Sequence, residues 1–312
     1  MKRKYSSLVA LAVAFIVVPI QLMAQKPVSF VYHHSLIFLK VKVNEKKDLL
    51  FLMDTGANIS SIDKSICSLL QLPAIREGDS VAGTAGKEAI TLCKTKNLQM
   101  GGLLLKGTPL ASRDLSRFTT PGKEKLAGII GTDILKKYAI TIDYAQKTIL
   151  FSKVKPKLRK EKVVHFEMAG GIPLFETRIN DTLTTFVNYN SGVGLAPSHE
   201  VYVNVSHKQW SDLQRTDKFL KPYSSMTGDG VGGRVQLPVV KIFKVHFNGL
   251  EVEKPSLVVQ PREGSLISDN AVGFFGNNLL EKYRKVTIDF LSNRMILHSI
   301  NNAVAVHTIK RR

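Results

Sequence analysis

Two stretches of this chain can be written one above the other. Leu36-Ile37-Phe38-Leu39-Lys40-Val41-Lys42-Val43-Asn44 matches Ile172-Pro173-Leu174-Phe175-Glu176-Thr177-Arg178-Ile179-Asn180 in type. Both alternate apolar and polar side chains, as a half-buried strand does. Ten residues after Asn44 stands Asp54, and ten after Asn180 stands Asn190; Thr55 then falls on Ser191 and Gly56 on Gly192. The far ends agree too. Gly128-Ile129-Ile130-Gly131-Thr132-Asp133-Ile134-Leu135 matches Gly273-Phe274-Phe275-Gly276-Asn277-Asn278-Leu279-Leu280, and the segment 138–151 matches 283–298. Generic β alternation explains neither the paired glycines nor the equal spacings. A chain that repeats segments in one order is constrained to fold as two similar halves.

The halves are expected at 28–151 and 163–300, joined by a basic linker at 152–162 that contains Pro156, with a tail at 301–312 of little core signal. Helical signals are few. Ser60 to Leu70 reads as a helix that stops before Pro73. Gly131 to Tyr138 and Gly276 to Tyr283 each hold another short one. The second half adds Ser198 to Leu220, where Trp210 sits in a helix-like pattern. The rest is short strands between Gly and Asn turns, so the fold class is mainly β. Each half also carries a Gly-rich hairpin candidate, around Gly83, Thr84 and Gly86 in one and Gly228 and Gly230 in the other.

The N-terminus is a separate matter. Lys2, Arg3 and Lys4 precede an apolar run from Leu8 to Val18, and Leu22-Met23-Ala24 ends in a small residue. This reads as a signal peptide over 1–24, cut after Ala24, for export to the periplasm or outside the cell. The run is short for a transmembrane span, so no stable span is expected once the signal is removed. Without Lys2, Arg3 and Lys4 the formal charge of +19 becomes +16. The positive charge is spread out, and its densest run, Lys153 to Lys162, has no aromatic residue on which bases could stack. Nucleic acid is therefore not an expected partner. Cys67 and Cys93 allow one disulfide in an oxidising compartment or two buried thiols, and neither has metal-ligand spacing.

The apolar run Leu49-Leu50-Phe51-Leu52-Met53 leads directly into Asp54-Thr55-Gly56-Ala57. A buried strand delivers a carboxylate to a turn where glycine permits close approach, which holds an acid rigidly. The Asp-Thr-Gly turn, the Gly-rich hairpin and Gly128-Ile129-Ile130-Gly131, all repeated, resemble the retropepsin-like and pepsin-like aspartic peptidases. The chain looks like an exported bacterial member with two lobes, and the resemblance covers nearly all of residues 30–298. It implies two tandem acid-protease β-barrels with a cleft between them and hairpin flaps over a peptide substrate. It also implies that the Thr55 and Ser191 hydroxyls bond across the junction, with Gly56 and Gly192 supporting the turns. In such a site two carboxylates share one proton, and the ionised one activates water to attack the peptide carbonyl. No cofactor or metal is needed.

The chain departs from that pattern at Asn190, which has the shape of Asp but cannot ionise. Asn188 likewise stands where the first half has Leu52, and neither hairpin has the tyrosine of pepsin-like flaps. An aspartic endopeptidase using Asp54 is the leading reading. Its second acid would come from a homodimer pairing two Asp54 lobes, or from deamidation of Asn190, although a tethered second half favours a monomer. The alternatives are a pseudo-peptidase that binds extended peptides, and a scaffold using the insert at 198–220. Four other features are read as structural. Asp143 and Asp289 should make turn hydrogen bonds. His33 and His34, as strand neighbours, should face opposite ways. Gly228 to Gly233 lacks a phosphate-loop setting, and Ser191 lacks nucleophile-elbow partners.

Overall fold

The computed structural model describes residues 26–298 except 45–47, 84–85, 123, 195–199, 231–232 and 263–270. The expected signal peptide and tail, and Thr84, lie outside the described residues. In the first half the strands are β1 (Val28–His33), β2 (Leu36–Val43), β3 (Asp48–Met53), β4 (Ser61–Asp63), β5 (Ala74–Gly83), β6 (Gly86–Lys94), β7 (Asn97–Met100), β8 (Leu103–Lys106), β9 (Pro109–Arg113), β10 (Gly128–Ile130), β11 (Ala139–Asp143) and β12 (Thr148–Ser152). Helix α1 (Lys64–Leu69) follows β4 and α2 (Thr132–Leu135) follows β10. The second half has β13 (Lys162–His165), β14 (Glu167–Ala169), β15 (Ile172–Ile179), β16 (Leu183–Tyr189), β17 (Tyr202–Val205), β18 (Ser224–Gly230), β19 (Gly233–Lys241), β20 (Lys244–Phe247), β21 (Leu250–Glu253), β22 (Ser256–Val259), β23 (Gly273–Phe275), β24 (Lys285–Asp289) and β25 (Arg294–Leu297). Helix α3 (His207–Thr216) follows β17 and α4 (Asn277–Leu280) follows β23. The chain is mainly β, in curled sheets.

Both halves step through the same pairings. β2 lies antiparallel to β3, β3 parallel to β10, β10 antiparallel to β4, and β4 parallel to β9. β15, β16, β23, β17 and β22 repeat this succession. The hairpins β5–β6 and β18–β19 attach next, through β9 and β22. Matching turns show why the spacings agree. Asn44 and Asn180 both take left-handed backbone, with φ of 51° and 47°. Each side chain accepts two backbone N–H groups from an adjoining strand, Lys96 and Asn97 for Asn44, Phe243 and Lys244 for Asn180. Asparagine tolerates that conformation and supplies the acceptor.

The halves are joined by more than the linker. β11 pairs antiparallel with β24, so the strands β13, β25, β24, β11, β12 and β1 run on as one sheet. A single apolar cluster takes in Phe51 and Ile140 of the first half and Phe275 and Ile288 of the second. Asp143 and Asp289 end the two pairing strands and accept turn N–H groups from Gln146 and Leu291. Among the described residues no helix is long and apolar enough to cross a membrane.

Two local expectations are corrected. Ser60 to Leu70 is not one helix. Ser61–Asp63 is strand, wedged between β10 and β9, and the helix starts only at Lys64. The break falls at Asp63, whose carboxylate accepts the Ser65 N–H at 3.0 Å and caps α1. His33 and His34 do not face opposite ways, because His34 lies in the turn, with φ of 50°, and not in β1. Their rings stack with centroids 3.9 Å apart. Cys67 and Cys93 are free thiols with sulfurs 2.7 Å apart, and burial, aided by Cys67, pushes the Cys93 thiol up to about 12.

Candidate functional site at the junction of the halves

The strands β3 and β16 end side by side at the junction, each held by its parallel neighbour. The Asp54 N–H donates to the Ile130 carbonyl and the Asn190 N–H to the Phe275 carbonyl, both at 2.9 Å. Beyond each strand the chain turns through a glycine. The Gly56 N–H donates to Asp54 Oδ1 at 2.8 Å, and the Gly192 N–H to Asn190 Oδ1 at 2.9 Å. The two turns are thus built alike, with an acid in one and an amide in the other.

The turns also interlock. A Cβ on Gly56 would lie 2.2 Å from Asn190 Nδ2, and one on Gly192 would lie 2.3 Å from Asp54 Cγ. Each glycine is required because the other turn's side chain occupies the space. Thr55 and Ser191 lock the arrangement. The Thr55 hydroxyl donates to the Tyr189 carbonyl at 2.7 Å and accepts the Ser191 N–H at 2.9 Å. The Ser191 hydroxyl donates to the Met53 carbonyl at 2.8 Å and accepts the Thr55 N–H at 3.0 Å. Both residues are fully buried. Four satisfied hydrogen bonds in a dry place fix the two tips relative to each other. The site residues expected from sequence at 54–56 and 190–192 are therefore brought together. Gly83 and Gly86 close the tip of β5–β6, and Gly230 that of β18–β19, where it pairs with Gly233. Gly228 packs against Leu237 and Val235.

Residues match the family model of the aspartyl proteases over 39–134. That span holds the Asp54 turn, the β5–β6 hairpin, the Gly128–Ile130 strand and the helix after it up to Ile134. No curated protein matches the chain.

Electrostatics separate the two tips further. Asp54 keeps a window to solvent, yet its carboxyl is closely surrounded. Burial pushes its pKa up, and the N–H groups of Gly56, Ala57 and Gly192 together with the Arg113 charge draw it back only in part. Asn190 has no charge to regulate. Its Oδ1 is taken by Gly192, which leaves the Nδ2 hydrogens as donors at the junction. Sequence reasoning did not single out two residues at this site. Asn277 donates to the Ser35 and Ser191 carbonyls, so it ties the β1–β2 turn to the amide tip, and it accepts from Tyr189 and Tyr144. The other is Arg113. Asn277 could have been noticed as the counterpart of Thr132, which donates to the Ala57 carbonyl in the first half. Among the described residues no three metal-ligating side chains cluster.

Proposed function

We propose that this chain is an aspartic-type peptide hydrolase with one ionisable acid, Asp54, faced by an amide donor, Asn190. The reading rests above all on the reciprocal packing of the two turns, each side chain lying on the other's glycine. A carboxylate at Asp54 would take a proton from water as the water attacks the peptide carbonyl. The Asn190 amide would donate to the carbonyl oxygen as it becomes anionic, a task that needs a fixed donor and not a transferable proton. Asp54, then protonated, would return that proton to the leaving amine. The two halves read as an internally duplicated lobe, in which the second copy keeps its geometry and has lost its acid. The second half already occupies the face through which two Asp54 lobes would pair, which favours a monomer. Export with cleavage after Ala24 completes the proposal, and N-terminal sequencing of the mature protein tests it.

Deamidation of Asn190 is a poor source of a second acid. Ring closure requires the Ser191 nitrogen to attack the Asn190 side chain, and that N–H is committed to Thr55. One observation favours a second reading, a pseudo-peptidase that holds extended peptides: asparagine at position 190 removes the shared proton. Incubating residues 25–312 with an unfolded protein from acid to neutral pH separates the two. Cutting that falls by about 10²–10⁴-fold in Asp54→Ala supports the hydrolase. Cutting that persists undiminished in Asp54→Ala refutes it, and tight binding with no cutting at any pH selects the pseudo-peptidase.

A further inference from the structure

We propose that Arg113 ends a side-chain pocket beside Asp54 and recognises a carboxylate on the bound peptide. The inference rests on the peptide-binding reading of the junction and adds the class of peptide it takes. Strand β9 shows two faces. Leu110 joins the main core with Cys93, whereas Ala111 joins a separate cluster with Ile90 and Leu92. Ile59, just past the Asp54 turn, and Val81, on the β5–β6 hairpin, pack on that second cluster. This face therefore spans the space from the catalytic turn to the hairpin. Successive strand residues alternate faces, so Arg113 continues the row of Ala111, and Glu88 that of Ile90. The result is an apolar floor that ends in a guanidinium.

That guanidinium is incompletely partnered. Arg113 is only 7% exposed, and its Nε faces Glu88 Oε2 at 3.3 Å without hydrogen-bond geometry, with no hydrogen-bond partner among the described residues. Glu88 is its one ion-pair partner among the described residues. The other Glu88 oxygen already accepts the Asp114 N–H at 2.9 Å. A buried guanidinium whose one carboxylate partner is loosely placed and shared with a backbone N–H is unfavourable unless a further anion completes it. Its charge also draws Asp54 toward the ionised form.

The second half shows that the fold does not demand this charge. Asp63 is in register with Arg113. In the second half Val205 is in register with Val259, so the next pair is Ser206 and Gln260. Gln260 is neutral, and its Nε2 donates to Asn204 Oδ1 at 2.7 Å. Leu92 opposite Ala111 corresponds to Val239 opposite Val258, which makes Val235 the counterpart of Glu88. The same scaffold carries neutral side chains there, although Gln260 Oε1 and Asn204 Nδ2 have no hydrogen-bond partner among the described residues. A planar guanidinium is suited to a carboxylate, which it can bind through two N–H groups. The net charge of +16 expected for the mature chain would draw acidic peptides in.

The test uses paired peptides that differ only by Glu or Gln at one position near the cut bond, offered to the mature chain. At one position Glu should be preferred by about tenfold or more in kcat/KM, mostly through KM, and salt should erode the preference. Arg113→Gln should abolish it. Glu88→Gln should raise it by freeing the guanidinium, and this variant carries the test if Arg113→Gln does not fold. Binding of the same labelled pairs to Asp54→Asn gives a readout independent of turnover, with the Glu peptide again held more tightly. Cutting with no preference at any position, or a preference unchanged in both variants, overturns this proposal and leaves the hydrolase standing. A Glu preference in binding with no cutting by the parent supports Arg113 and removes the hydrolase. A chain that neither cuts nor binds any of the pairs removes both.

Discussion

Asp54 must ionise where water is scarce. Its folded-state pKa is raised, chiefly by burial, so protons bind more tightly to the folded than to the unfolded chain. The sign follows from linkage: the folded state is favoured below the unfolded pKa and loses that advantage as pH rises through the folded pKa. Ionised Asp54 thus works against stability at neutral pH while being the form that activates water. Asp54→Asn should therefore melt at a higher temperature than the parent at pH 7, and the difference should vanish in acid. Thermal scans at the two pH values check this. Activity should rise with pH through the raised Asp54 value, because a lone base gains as it ionises. Asn190→Asp restores a group that can share the proton, so its pH–rate profile should acquire an acidic optimum, with a gain of about tenfold or more at acid pH. An unchanged profile would mean that position 190 does not see the reacting proton. The Thr55 hydroxyl gives a different readout. Thr55→Val strands the Ser191 N–H and the Tyr189 carbonyl in a buried place, and should cost about 1–3 kcal/mol for each group left unpaired. Thr55→Ser should restore most of that, since Ser191 performs the same task in the other half. Denaturant midpoints of the two variants measure it.

The three-residue strands are the elements on which the site hangs, and of these β4 was the least legible. β2 and β15 are long enough for alternation to show, so their match could be read directly. β4 is too short for a period, and its apolar Ile62 followed by Ile66, Leu69 and Leu70 imitates helical spacing. Only its pairing with β9 and β10 makes it strand. The stacked His33 and His34 were missed because the turn begins one residue earlier than alternation suggests. Arg113 was invisible for another reason: its place beside Asp63 is a register between residues fifty apart, set by the parallel pairing and by no local pattern. By contrast the Asp54 and Asn190 turns were legible because glycine spacing and strand length leave little freedom. β10 and β23 open on glycines with different obstacles. A Cβ at Gly128 would meet the Phe51 ring at 2.1 Å, whereas one at Gly273 would meet the Asn204 carbonyl oxygen at 2.0 Å. A ring can shift, at about 1–3 kcal/mol for overpacking, but a paired backbone cannot without breaking its sheet. Gly273→Ala should therefore destabilise more than Gly128→Ala, and equal urea midpoints would contradict that account.

On the scale of the molecule, the question is whether the halves behave as two bodies or one. The four hydrogen bonds of Thr55 and Ser191 hold the tips, but the larger connection lies elsewhere. β11 and β24 pair over five residues, and Ile140 and Ile288, opposite each other, are fully buried. Lys285 reaches Asp143 across the same pairing at 3.3 Å. The apolar cluster is continuous through both halves, so neither can lose its fold without exposing part of the other's core. Such a chain should unfold in one calorimetric transition despite its length, with van't Hoff and calorimetric enthalpies in agreement. Ile288→Ala tests the point where the halves meet. It should lower stability by about 2–5 kcal/mol and move the single transition without splitting it. Two resolved transitions, in the parent or the variant, would show that the halves melt separately. The spacing between Asp54 and Asn190 would then depend on the hydroxyl lock alone, and Thr55→Val would be expected to abolish function as completely as loss of Asp54. With one cooperative body the shared sheet keeps the tips opposed after the lock is cut, and Thr55→Val should retain measurable activity.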